Sequence, residues 1–152
     1  MRIAFAAGAG LIALLAVVAA AAWLGDDSRT QAGFRISGDE PGVSGAAFLE
    51  QDGEQLRGFV VVWGLEPSSA HAVHFHGPDS SCGAKADPVA VHPDLHADAS
   101  GVAYISVDVT VEHELLDGGF YYNVHEGPSR QAENPEIACG DIAADGSVAA
   151  AR

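Results

Sequence analysis

The sequence predicts an all-β domain, an antiparallel sandwich or barrel of seven or eight short strands. Three observations predict it. Runs rich in Val, Ile, Phe, Tyr and Trp recur from residue 34 to residue 142. Gly, Pro, Asn and Asp separate those runs at short intervals. No segment of that region sustains the apolar period of a long helix.

The elements follow in chain order. FRISG (34–38) reads as a short strand, and Asp39-Glu40-Pro41-Gly42 as the turn after it. VSGAAFLEQ (43–51) is a second strand, closed by the hairpin signal Asp52-Gly53. QLRGFVVVWGL (55–65) is a third and HAVHFHG (71–77) a fourth. A loop holding Pro78, Pro88 and Pro93 then runs to about Ser100. GVAYISVDVT (101–110) alternates, with Ala103, Ile105, Val107 and Val109 on one face and Tyr104, Ser106 and Asp108 on the other. VEHELLDGG (111–119) has room for one helical turn. FYYNVHEG (120–127) and IACGDI (137–142) are the last two strands.

Ahead of the domain, residues 3–24 carry no charge, Arg2 precedes them, and Ala20-Ala21-Ala22 offers a small-residue cleavage site. Residues 1–24 therefore read as a secretory signal peptide or a retained membrane anchor. Residues 25–32 read as a polar tether, 33–143 as the β domain, and 144–152 as a disordered Ala/Gly-rich tail. Either form of the leader exports the domain to an oxidising compartment. Two cysteines there are most simply one disulfide, Cys82–Cys139, with a pair of thiolate metal ligands as the alternative. A disulfide requires Cα atoms about 4.4–6.8 Å apart.

The formal charge is −14, from 21 acidic residues against seven Lys plus Arg, and Lys85 is the only lysine. Nucleic-acid binding is excluded on that ground, because each contacted phosphate needs a cation. Cations, by contrast, are attracted. The size and the absence of a glycine fingerprint after a strand exclude a Rossmann-type nucleotide domain. A membrane is contacted only through the N-terminal segment.

The seven histidines carry the chemistry. In HAVHFH, strand alternation places His71 with Val73 and Phe75 on the core face. His74 and His76 point outward together, their Cα atoms about 6.5–7 Å apart. In FYYNVH the same parity puts Phe120, Tyr122 and Val124 inside, and His125 outside with Tyr121 and Asn123. A neighbouring strand can bring His125 beside the His-x-His pair. Three neutral imidazoles suit Cu(II), Ni(II) or Zn(II), and copper heads the affinity order. His96 and His113 read as surface residues, and Tyr121 and Tyr122 as sheet packing.

The segment DEPGVSGAAFLEQDGEQLRGFVVVWGLEPSSAHAVHFHGPDSSCG, then DASGVAYISVDV, EHELLDGGFYYNVHEG and IACGDI, resembles the copper/zinc superoxide dismutase family over residues 33–143. The resemblance implies an eight-stranded Greek-key β-sandwich, or flattened barrel, with the Cys82–Cys139 disulfide. It implies copper ligands at His74, His76 and His125, and a structural role for His71. His92 matches the family's fourth copper ligand, which bridges to zinc and exchanges a proton during the reaction; His96 is the rival. The implied activity is disproportionation of superoxide by Cu(II)/Cu(I) cycling.

The chain departs from that family in two loops. Only 18 residues separate Cys82 from Gly101, with His92, Asp94, His96 and Asp98 as the available zinc ligands. A full zinc site is not expected, and the chain resembles the copper-only branch. Only 13 residues separate His125 from Cys139, and Glu136 stands where the family carries its anion-guiding arginine. Arg130 is the cation placed to substitute. VHFHGPDSS and LLDGGFYYNVHEG…NPEIACGDI also resemble the chordin-type (CHRD) domain, which implies a non-catalytic copper-binding or adhesion module on a similar sandwich plan.

Overall fold

The structure, a computed structural model, describes residues 29–38, 42–131 and 134–143. The leader (1–24), the first part of the tether (25–28), the turn residues 39–41 and the tail (144–152) lie outside the described residues. Ten strands form: β1 (Arg29–Gly38), β2 (Ser44–Asp52), β3 (Gln55–Trp63), β4 (Ala70–His71), β5 (Val73–His76), β6 (Pro88–Val91), β7 (Leu95–His96), β8 (Val102–Thr110), β9 (Phe120–His125) and β10 (Glu136–Ile142). Among the described residues the only helical element is one 3-10 turn, Leu115–Asp117, within the segment expected to hold such a turn.

Eight strands form one antiparallel sheet in the order β6-β5-β9-β10-β1-β2-β3-β8. The steps from β3 to β5 and from β8 to β9 are crossovers rather than hairpins, which is the expected Greek-key connectivity. β4 and β7 pair separately, His71 opposite Leu95. An isolated bridge, Ala97 to Ala103, then ties the end of β7 to β8. The sheet thereby curls into a nearly closed, flattened barrel, and the expected architecture is present.

Two details differ from the expectation. β1 begins at Arg29, so residues 29–32, assigned to the tether, are strand. The reason is the hairpin partner: β2 offers backbone groups as far as Asp52, and Arg29 pairs with it. The proline-bearing loop also contains β6, because Val91 and Ala90 pair with His74 and Phe75 at the sheet edge. Pro88, which has no N–H to donate, sits at the first position of that edge strand.

Inward-facing residues fill the barrel. Leu49, Leu56, Val60, Val62, Phe75, Leu115, Tyr122 and Val124 are fully buried. Each large apolar side chain contributes about 1.5–3 kcal/mol by leaving water. On β8, Ala103 and Val107 are buried while Tyr104 is 65% exposed, as alternation requires. Outside, Phe48 stacks on Phe59 and Phe59 on Tyr104, each pair with ring centroids 6.1 Å apart, which gives β2, β3 and β8 an aromatic outer face.

β9 is covered on both faces, and this positions the site. Its core face carries Phe120, Tyr122 and Val124; its other face carries Tyr121 and Asn123, also buried. The cover over Tyr121 is the segment that follows β5. Cys82 and Cys139 are disulfide-bonded with Cα atoms 5.7 Å apart. The Cys82 N–H donates to Asp141 Oδ1 at 2.7 Å, and the Tyr121 hydroxyl donates to the Ala84 carbonyl at 2.8 Å. This segment is thus fastened over β9 and β10.

Candidate metal centre

β5 and β9 are neighbours in the sheet, with His74 opposite Asn123 and His76 opposite Tyr121. His125 lies two residues beyond Asn123, on the same face. Antiparallel pairing thus brings the His-x-His pair and His125 to one patch, as the parity argument anticipates. One nitrogen from each of His74, His76 and His125 lies within 4.8 Å of the others, a spacing that can hold a metal ion. The His74 ring is 5.0 Å from that of His125 and 5.8 Å from that of His76, centroid to centroid.

Backbone carbonyls fix which nitrogen is free. A carbonyl only accepts, so the nitrogen facing it carries the proton. His76 Nδ1–H donates to the Ala86 carbonyl at 2.9 Å, which leaves the Nε2 lone pair free. His125 Nδ1–H donates to the Asn134 carbonyl at 2.5 Å, again leaving Nε2. Those two Nε2 atoms and His74 Nδ1 are buried without hydrogen-bond partners. A buried polar atom left unpaired costs about 1–3 kcal/mol, so three at one point call for a common partner. An electrophile that accepts three lone pairs, a metal ion, fits.

The electrostatics agree. Burial first, and the nearby His125 and His76 rings next, lower the His74 pKa from 6.5 to about 4. Burial likewise lowers that of His76. Both rings are therefore neutral at pH 7, the state in which imidazole coordinates a metal.

His71 is buried below the cluster. Its Nδ1–H donates to the His125 carbonyl at 2.8 Å, and its Nε2 lies 2.6 Å from the Ser69 hydroxyl oxygen. With the His125 N–H donating to the Ala72 carbonyl at 2.9 Å, the backbone of His125 is held from two sides. Its core-facing parity places it there. It holds the backbone of His125 and does not join the cluster.

His92 does not join the cluster. β6 runs antiparallel to β5 with Ala90 opposite Phe75 and Val91 opposite His74. His92 therefore shares the face of Ala90 and Phe75, the core side of the sheet. Its Nδ1–H donates to the Pro93 carbonyl at 3.2 Å, and its Nε2 accepts from the Tyr122 hydroxyl at 2.9 Å. Both nitrogens are engaged. Counting sixteen residues from His76 could not reveal this, because the short edge strand β6 sets the parity.

The other candidates are dispersed. His96 is exposed on β7. Asp98 closes a turn, accepting from the Ser100 and Val102 N–H groups. Asp94 accepts from the Ser129 N–H at 3.3 Å. Among the described residues, no second cluster of three His, Cys, Asp or Glu ligands accompanies the trio. Arg130 is exposed on the turn after β9.

Beside the trio lies an open cleft of about 360 Å³, lined by His76, Lys85, Ala86, Tyr121, Asn123 and Glu136, among others. Glu136 pairs with His125 across β9 and β10, which is why it reaches this face. Burial, and then the Glu136 carboxylate, raise the Tyr121 pKa. Sequence reasoning missed Lys85, Asn123, Asn134 and Ala86 as parts of the site. Asn123 shares the parity of His125, and Asn134 stands before Pro135; both are signals in the sequence. Ala86 acts through its carbonyl, for which a sequence has no letter.

The chain matches no protein-family model, and a search of curated proteins gives no match either.

Proposed function

We propose that this is an exported copper-binding protein of superoxide dismutase type, with His74, His76 and His125 as the metal ligands. The observation that carries the reading is the three unpartnered imidazole nitrogens converging at one point, two of them fixed by backbone carbonyls. Imidazole donors and neutral rings favour copper over harder cations. Copper held there supplies one-electron chemistry, alternating between Cu(II) and Cu(I) as one superoxide is oxidised to dioxygen and another, with two protons, is reduced to hydrogen peroxide. The residues do the rest. The Ala86 and Asn134 carbonyls hold the two Nδ1 protons away from the metal, and His71 fixes the His125 backbone. Lys85 lines the approach and attracts a small anion, while Glu136 on the same cleft repels it. A zinc partner site is not part of the proposal.

The disulfide is compatible with an extracellular location. Among the described residues, no helix is long and apolar enough to cross a membrane.

A second reading, a non-catalytic copper-binding module, is favoured by one observation: the carboxylate of Glu136 in the cleft where an anion must pass. One experiment decides between them. Copper-loaded protein is assayed for superoxide turnover beside Glu136→Arg and His125→Ala. The dismutase reading expects modest wild-type turnover, a faster Glu136→Arg variant at low salt, and no turnover with weakened copper binding in His125→Ala. Tight copper binding with no turnover in wild type or in Glu136→Arg establishes the module.

A further inference from the structure

We propose that the side-chain oxygen of Asn123 is a fourth donor of this metal site, converting three imidazoles into an N3O set. The inference rests on the trio being a metal centre. Asn123 is 5% exposed, and its Oδ1 is buried with no hydrogen-bond partner. Among the described residues it is the one orphaned side-chain atom that accompanies the three histidine nitrogens.

Its place in the sheet is central. His74 lies directly across on β5, with His76 one step diagonally beyond. His125 is two residues further along β9, with its side chain on the same face. Directly opposed side chains in a sheet have Cβ atoms about 4.5–5.5 Å apart, and diagonal neighbours lie within about 7–8 Å. The amide is thus flanked by all three imidazoles and forms part of the cleft wall beside His76.

A packing role does not account for it. A Val or Thr of similar width would fill the position without leaving an amide oxygen unpaired, and nearly all buried polar atoms have partners. The oxygen has no N–H or O–H group to accept from, so a cation is the remaining partner of suitable chemistry. Three nitrogens with one neutral oxygen match the tetragonal N,O preference of Cu(II), and equally a four-coordinate Zn(II). The site therefore selects for a first-row divalent ion with one hard donor, and the open cleft supplies any further position.

The test uses Cu(II) and the full oxidised chain. Wild type, Asn123→Val, Asn123→Asp and His125→Ala are titrated with Cu(II) against a competing chelator, and their Cu(II) EPR spectra are recorded. Far-ultraviolet circular dichroism confirms folding. Loss of a supporting donor is expected to weaken Cu(II) binding about 10–100-fold in Asn123→Val, with changed EPR parameters. Asn123→Asp is expected to bind more tightly than wild type, with its own shifted spectrum. If wild type binds Cu(II), His125→Ala loses it, and Asn123→Val keeps both the affinity and the spectrum, the Asn123 assignment is overturned while the trio stands. Where Asn123→Val does not fold, Asn123→Asp decides, and a spectrum and affinity equal to wild type overturn the assignment. If wild type and His125→Ala are alike in failing to bind, the trio itself is refuted and Asn123 falls with it.

Discussion

The Tyr122–His92 pair gives the sharpest test of which face of the sheet carries the metal. Tyr122 is fully buried, His92 is 8% exposed, and their rings stack at 5.5 Å with an interplanar angle of 16°. The Tyr122 hydroxyl donates to His92 Nε2 at 2.9 Å. Tyr122→Phe keeps the ring and its packing and removes only the donor. His92 Nε2 is then buried without a partner, which costs about 1–3 kcal/mol. With a urea slope of about 2 kcal/mol per molar for a small domain, the midpoint of the metal-free protein is expected to fall by roughly 0.5–1.5 M. His92→Phe removes the acceptor of that bond and is also expected to lower the midpoint. The double variant removes both partners and recovers part of the loss, a coupling that a double-mutant cycle measures. Copper affinity in all three is expected to stay within about twofold of wild type, because the metal nitrogens lie on the opposite face of β5 and β9. The reasoning is refuted if the midpoint does not move. It is refuted equally if His92→Phe weakens copper binding tenfold or more, since His92 would then act as a metal ligand.

Three further outcomes are expected. Metal-free protein loses stability as pH falls from about 6.5 towards 4. The folded-state pKa of His74 is lowered to about 4 while the unfolded value stays at 6.5, so the unfolded chain binds the proton first. His76 acts in the same direction; thermal unfolding at pH 7, 5.5 and 4.5 without metal checks this, and a flat profile contradicts it. Replacing both Cys82 and Cys139 by Ser, across a separation of 57 residues, is expected to cost about 4 kcal/mol by loop entropy and to weaken copper binding through the released Ala86 carbonyl. Gly58→Ala is expected to cost about 2–4 kcal/mol in chemical denaturation. Gly58 has φ +149°, and a Cβ there would press on the Phe48 carbonyl across the β2–β3 ladder.

Strand alternation made much of the site legible in the sequence. His74, His76 and His125 declare their shared face through the apolar residues between them, and that parity needs only local information. Register and pairing were not legible. That β5 lies beside β9 is a long-range fact, set by the barrel's closure rather than by any local pattern. His92 shows the limit from the other side. Its distance along the chain fits a ligand, yet pairing of β6 on the edge turns it to the core. The start of β1 is hidden for a related reason, since RTQA has weak strand character of its own and is strand because β2 extends alongside it. The carbonyls that fix the imidazole tautomers belong to loops, where backbone geometry is not encoded by residue type.

The disulfide also bears on how the proposed metal would enter the site. The segment from Cys82 to Ala86 carries the carbonyl that orients His76, and its covalent hold on the sheet is the bond to Cys139. Besides that bond, hydrogen bonds from the Cys82 N–H and the Tyr121 hydroxyl hold the segment to its neighbours. A reduced chain carries two thiolates that compete with the imidazoles as soft ligands. Once the bond has formed, those competitors are gone. On the proposed metal-binding reading, the oxidised chain is therefore expected to take up copper more tightly than the reduced one, where two thiolates compete for the ion.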